Sequence, residues 1–329
     1  MKSMPIMFIM FVLTAMSAAC APAPTSTPTI PPAPTLTALP TSTPIAVSFT
    51  LVSIIKADPK LTTPAGIAVD KQGNLYVMDA GNSRVVKFDS DGKQLTTWGT
   101  HGESDGQFNV VNRISGRIAV DGQGNVYAAD SSPRIQKFDS NGKFLTKWGS
   151  FGDGESQFRG GISVAVDSQG NVYASDGENN SVQKFDSNGK FLLKWGGKGT
   201  GDAELFRPVG LKVDQAGNVF LIERDNGRVQ EFDSNGKSLA KFFMEKKIEG
   251  NVVLPVDLAV DSQGDFYITD ISNSRVVKLD HSGKLIAAWG SPGTGDSQFS
   301  VAWGVAVDAQ GNIFVADGVD GRIQKFRQK

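Results

Sequence analysis

Val164-Ala165-Val166-Asp167-Ser168-Gln169-Gly170-Asn171-Val172-Tyr173-Ala174-Ser175-Asp176 opens a stretch that continues through Val182-Gln183-Lys184-Phe185-Asp186-Ser187-Asn188-Gly189 to Phe191-Leu192-Leu193-Lys194-Trp195. A short apolar run is turned back at Gly170-Asn171, and a second run ends in an acid. The segment Val182 to Phe185 then alternates as a half-buried strand does. Asp186-Ser187-Asn188-Gly189 reads as a hairpin turn with glycine where the backbone needs positive φ. Four antiparallel strands fit in fewer than 40 residues.

The same phrase occurs six times, its first acid falling at Asp70, Asp121, Asp167, Asp214, Asp261 and Asp308. The gaps are 51, 46, 47, 47 and 47 residues. Several short strands per copy at a period of 40 to 50 residues imply blades set radially around an axis. The fold expected is all-β, a six-bladed β-propeller of four-stranded antiparallel blades. The last copy stops after its third strand, Arg322-Ile323-Gln324-Lys325-Phe326, and the segment from Val47 to Ile55 supplies the missing fourth. The N-terminal strand thus completes the last blade and removes the exposed edges of an open array. Counting back 19 residues from Asp70 puts Leu51 where other copies carry Trp98, Trp148, Trp195, Phe242 and Trp289.

The wording resembles the NHL-repeat family in all six copies. The matching phrases are Gly66-Ile67-Ala68-Val69-Asp70, Gly73-Asn74-Leu75-Tyr76-Val77-Met78-Asp79 and Asn82-Ser83-Arg84-Val85-Val86-Lys87-Phe88, with loops such as Gly293-Thr294-Gly295-Asp296-Ser297-Gln298-Phe299. The resemblance implies a scaffold used for binding proteins, peptides or RNA, and in a related lyase for catalysis. It does not by itself name a function.

Outside the repeats lie two segments of different character. Lys2 and the apolar run Ile6 to Met16 read as a signal peptide over residues 1–19, with small residues leading directly into Cys20. The stretch resembles a bacterial lipoprotein signal, which implies lipidation of Cys20. Residues 20–45 then form a Pro- and Thr-rich linker without charges. At about 3.1 Å per residue such an extended spacer reaches roughly 75 Å. The propeller occupies residues 46–329, held to a bacterial membrane outside the cytoplasm through the lipid anchor alone.

Composition narrows the chemistry. With 33 basic and 34 acidic residues the net charge is −1, so no global field draws the chain to nucleic acid. One cysteine allows no intramolecular disulfide, and two histidines, His101 and His281, leave little for zinc. No cofactor and no metal site is expected, and the chain is expected to be a monomer. Gly-rich loops such as Gly197-Lys198-Gly199-Thr200-Gly201 lie between strands, not before a helix, and read as structure. The Asp-Ser-Asn-Gly turns likewise need no calcium, because Asp and Asn cap turn amides themselves.

Candidate site residues come from departures from the repeat. The acid closing strand two and the Arg opening strand three recur as Asp79/Arg84, Asp130/Arg134, Glu223/Arg228, Asp270/Arg275 and Asp317/Arg322, and read as a brace. Blade three has Ser181 instead of the Arg, which leaves Asp176 as an unpartnered acid on an exposed loop. Blade four has Lys212 where the others have Ala68, Ala119, Ala165, Ala259 and Ala306. Arg113, Arg117, Arg159, Lys198, Arg207, Lys246 and Lys247 give the inter-blade loops a basic character, and Trp303 lies outside the regular Trp column. The ligand-binding candidates are Arg113, Arg117, Arg159, Asp176, Arg207, Lys212 and Trp303. The function expected is a tethered platform that recognises a protein, peptide or glycan through its loop-rich face. The alternative is a hydrolase or lyase at the channel mouth, lactonase-like and calcium-dependent.

Overall fold

The computed structural model describes residues 47–110, 116–244 and 254–329. Six four-stranded antiparallel sheets are arranged as blades around an axis, with the first strand of each innermost. Blade three shows the pattern: Ile162–Val166, Val172–Asp176, Ser181–Phe185 and Phe191–Gly196. Its register runs Val164 to Ala174, Ala174 to Gln183 and Gln183 to Lys194, as the period-two alternation requires.

The core lies between blades. Ala165, Tyr173 and Val182 of blade three pack against Leu211, Val219, Leu221 and Phe232 of blade four. Trp98, Trp148 and Trp195 cover Gly142, Gly189 and Gly236 of the next blade's turn, where a Cβ would collide with the indole. These glycines also have φ of 87°, 87° and 79°, so two independent demands fix the residue type. In strand three Lys87, Lys137 and Lys184 donate to the carbonyls of Ser140, Ser187 and Ser234 on the following blade, 2.8–3.1 Å away. Blade four differs, carrying Glu231 with His281 Nε2 3.9 Å from its carboxylate.

The ring closes as the truncated last copy requires. Phe49–Ile55 pairs antiparallel with Arg322–Gln328 and completes blade six. The expected register is off by four residues, however. Ile55 pairs with Ile323, as Trp98 pairs with Val85 and Trp148 with Ile135. Leu51 instead faces Phe326, the place of Phe144 against Phe138. Ile55 also lies over Gly92, as Trp98, Trp148 and Trp195 lie over the turn glycine of the blade that follows each. The cause is a shorter connection: Asp70 follows Ile55 by 15 residues, whereas Asp167 follows Trp148 by 19.

At one end of the ring the turns between strands one and two are nearly alike. Asp167 Oδ1 accepts from the Gln169 and Asn171 amides, and Oδ2 from Asn171 Nδ2 and the Tyr173 hydroxyl. The outer turns follow the same logic, with Asp186 Oδ1 accepting from the Asn188 and Lys190 amides.

Candidate functional site: the loop-rich mouth

The other end gathers the inter-blade loops and the strand-two-to-three hairpins, and buried acids hold those loops rigidly. The acid closing strand two accepts an amide from the preceding loop in every blade: Thr62 on Asp79, Asn109 on Asp130, Arg159 on Asp176, Phe206 on Glu223, Leu254 on Asp270 and Ser300 on Asp317. The five expected Arg partners are in place at 2.6–3.4 Å. Arg228 reaches Glu223 and the carbonyls of Thr200, Gly201 and Glu204.

Asp176 differs from expectation. It is fully buried, and it accepts from the Arg159, Gly160, Glu178 and Asn179 amides and from Asn179 Nδ2 at 2.7–3.4 Å. Backbone donors do in blade three what a guanidinium does elsewhere. Asp176 therefore anchors a loop and presents no carboxylate to solvent.

The cavity at this mouth, about 150 Å³, draws on blades two to five. Arg117, Arg207 and Arg224 line it, with Glu178 on its rim and Ile162, Pro208, Val209 and Val256 forming its aliphatic wall. Arg117 begins the inner strand of blade two and is only 9% exposed. Its Nη2 donates to the Val256 carbonyl of blade five at 3.2 Å, so the side chain bars the ring from one side to the other. Its Nη1 is buried with no partner, and so is Nε of Arg224. Burial, and then the charge of Arg207, push Arg224 below the usual guanidinium range; Asp225 opposes this and Arg117 adds to it. Arg207 is exposed and stands 3.8 Å from Asp225. Its φ of 49° is matched by Thr63 at 52°, one residue before the corresponding proline in blade one. The strained backbone is thus shared with blade one, and the charge is blade four's own.

Inward from the mouth, a cavity of about 200 Å³ occupies the channel. The five alanines predicted to crowd the axis line it, and Lys212 projects among them. Two other candidates line neither cavity. Arg159 is exposed, 3.4 Å from Asp153 and 5.6 Å from the Phe151 ring centroid. Trp303 lies half-buried against Gly318, within the blade. Arg113, Lys246, Lys247 and Cys20 are outside the described residues.

Sequence reasoning missed Arg224 and Asp257. Arg224 follows the strand-two acid, where other copies have Ala80, Ser131, Gly177, Ile271 and Gly318. Asp257 is buried at the register position of Arg117, where blades one, three, four and six have Gly66, Ser163, Gly210 and Gly304. Its carboxylate accepts from the Leu258 and Val305 amides. Both depart from their columns of the repeat as Lys212 departs from the alanines. Among the described residues no three His, Cys, Asp or Glu side chains converge as a metal site.

Comparison with known proteins agrees with this architecture. The family described as NHL repeat matches residues 61–88, 162–185, 253–279 and 299–326, so the chain carries NHL repeats in a six-bladed propeller. Solved structures with a similar fold include a streptogramin B lyase, 12% identical, with TM-score 0.58 over 85% of this chain and 98% of that one. Virginiamycin B lyase from Staphylococcus aureus is 15% identical, with TM-score 0.58 over 85% and 99% of the two chains. A Bacteroides thetaiotaomicron protein of unknown function is 18% identical, with TM-score 0.61 over 86% and 76%. At these identities the likeness is one of fold. No curated protein matches the chain significantly.

Proposed function

We propose that this NHL-repeat propeller is a binding platform, displayed outside the cytoplasm on a lipidated Cys20 and a Pro/Thr-rich stalk, which takes a protein, peptide or glycan at its loop-rich mouth. The observation that carries the reading is the mouth itself. Arg117 of blade two converges there with Arg207 and Arg224 of blade four, and Arg117 and Arg224 each keep a buried N–H without a partner. A rigid scaffold with its variable charges on loops is the usual arrangement of a recognition surface. The reading of Cys20 and the stalk rests on the sequence from Lys2 to Ile45.

The test is affinity capture from a bacterial envelope extract with the full chain in detergent. Arg207→Glu with Arg224→Glu serves as the mouth variant, and Lys71→Glu at the opposite end serves as the control. Capture of a partner lost only in the mouth variant supports the platform. Identical capture by all three chains contradicts it.

The lyase neighbours favour a second reading, catalysis at the same mouth. Glu178 is the carboxylate on its rim and would act as the acid or base. A turnover abolished by Glu178→Gln with ligand affinity preserved would replace the platform with an enzyme.

A further inference from the structure

We propose that the mouth cavity is a receptor for the C-terminal carboxylate of a peptide ending in an aliphatic residue, clamped between Arg117, Arg207 and Arg224. The assignment rests on the mouth being the binding face and names what enters it.

Charge is the first argument. Three guanidiniums line the cavity, and the carboxylates that offset them are Glu178 on the rim and Asp225 beside Arg207. Glu223 is taken by Arg228, and Asp176 by backbone amides, so neither offsets them further. Among the described residues that line the cavity the cations outnumber the anions, three to one, which suits an anionic group such as a carboxylate.

Donor geometry is the second. Arg117 Nη1 and Arg224 Nε are buried and unbonded, and a buried donor left unsatisfied destabilises the site until an acceptor reaches it. The flat fork of a guanidinium matches the two oxygens of a carboxylate. Capture of a chain end by oriented donors is an established mode of peptide recognition.

Size and wall are the third. About 150 Å³ is the room of roughly five waters, enough for a carboxylate and one short side chain. Ile162, Pro208, Val209 and Val256 give that side chain an apolar surface. Among the described residues none that lines the cavity is aromatic, so they offer a sugar ring no face to stack on.

The experiment is fluorescence anisotropy with the full chain in detergent. The probes are fluorescein-labelled hexapeptide pools ending in Val, Leu or Ile, either as the free acid or as the C-terminal amide. The free-acid pool is expected to bind at least tenfold more tightly than the amide pool. Arg224→Gln and Arg207→Gln are each expected to weaken it about tenfold at an unchanged thermal midpoint, and Lys71→Gln to leave it alone. Equal binding of both pools, or binding of neither, overturns the proposal. So does competition by glucuronate or inorganic phosphate that exceeds competition by an N-acetylated leucine. If envelope capture still depends on the mouth while the pools fail, the carboxylate assignment falls and the platform stands. If capture ignores the mouth as well, both fall.

Discussion

At the turn end of the ring, Asp70, Asp121, Asp167, Asp214, Asp261 and Asp308 stand at one position of the repeat, whereas four residues earlier, toward the loop-rich end, the copies read Gly66, Arg117, Ser163, Gly210, Asp257 and Gly304. The aspartates cap a tight turn, a demand every blade makes alike, and the residue type follows from it. The second column starts the inner strands, where neighbouring backbones approach closely. A Cβ on Gly66 would lie 2.7 Å from the Gly116 carbonyl, and one on Gly210 3.3 Å from the Asp257 Cα. Packing there asks only for a small residue. Arg117 and Asp257 answer no demand of the repeat, and Arg117 reaches across the ring to do something the other blades do not. Regularity in a repeat marks what holds it together, and departure from it marks where it meets something else.

That contrast can be broken by measurement. The largest effect is expected in the brace on the loop side. Arg228→Ala strips the partner from a fully buried Glu223 and frees three loop carbonyls. Unfolding by urea should show a loss of about 3–5 kcal/mol, the usual cost of orphaning a buried charge. Next is a turn cap. Asp167→Ala leaves the Asn171 amide and the Tyr173 hydroxyl without their acceptor, and the same titration should show a loss of about 1–3 kcal/mol. Arg224→Gln belongs to the other class. It removes a crowded cation near Arg207 and Arg117, so stability should stay within about 0.5 kcal/mol while ligand affinity falls. A stability loss as large as that of Arg228→Ala would make the mouth arginines structural.

The smallest effect concerns pH and the irregular seam of blade four. Burial holds the Glu231 carboxyl above its ordinary value, Asp214 adds to this, and the charge of His281 opposes it. The folded state therefore keeps this proton more tightly than the unfolded chain does. Its contribution to stability is full below the ordinary carboxyl value and is lost as pH rises through the raised one. Glu231→Gln should raise the thermal midpoint at pH 7 by roughly 1–2 °C and change nothing at pH 3.5. A lowered midpoint at pH 7 would mean that the His281 contact outweighs the desolvation.

Most of the fold was legible because a blade is a local object. Strand, turn, strand and glycine recur within 47 residues, and the Asp79/Arg84 type of pair spans a single hairpin. Ring closure was legible as a missing strand, but its register was not. Counting from Asp70 assumed a loop of standard length, and the shorter connection put Ile55, not Leu51, over Gly92. Asp176 was misread for a related reason. The loss of one Arg partner was visible in the sequence, while the ring of backbone amides that replaces it forms only when loop and hairpin fold together. The mouth was half legible. Arg117 and Arg207 stood out as departures, but their meeting with Arg224 depends on blades two and four being brought round one axis.

Hydrogen exchange of the full chain, with and without the ligand it captures, decides whether the mouth is the binding face, because both ends of the ring are read in one experiment. Slowed exchange is expected at Gly116, Arg117, Gly161, Glu178 and Arg224, and unchanged exchange at the turns after Asp70, Asp121 and Asp167. Protection confined to those turns, with the mouth unaffected, would contradict it.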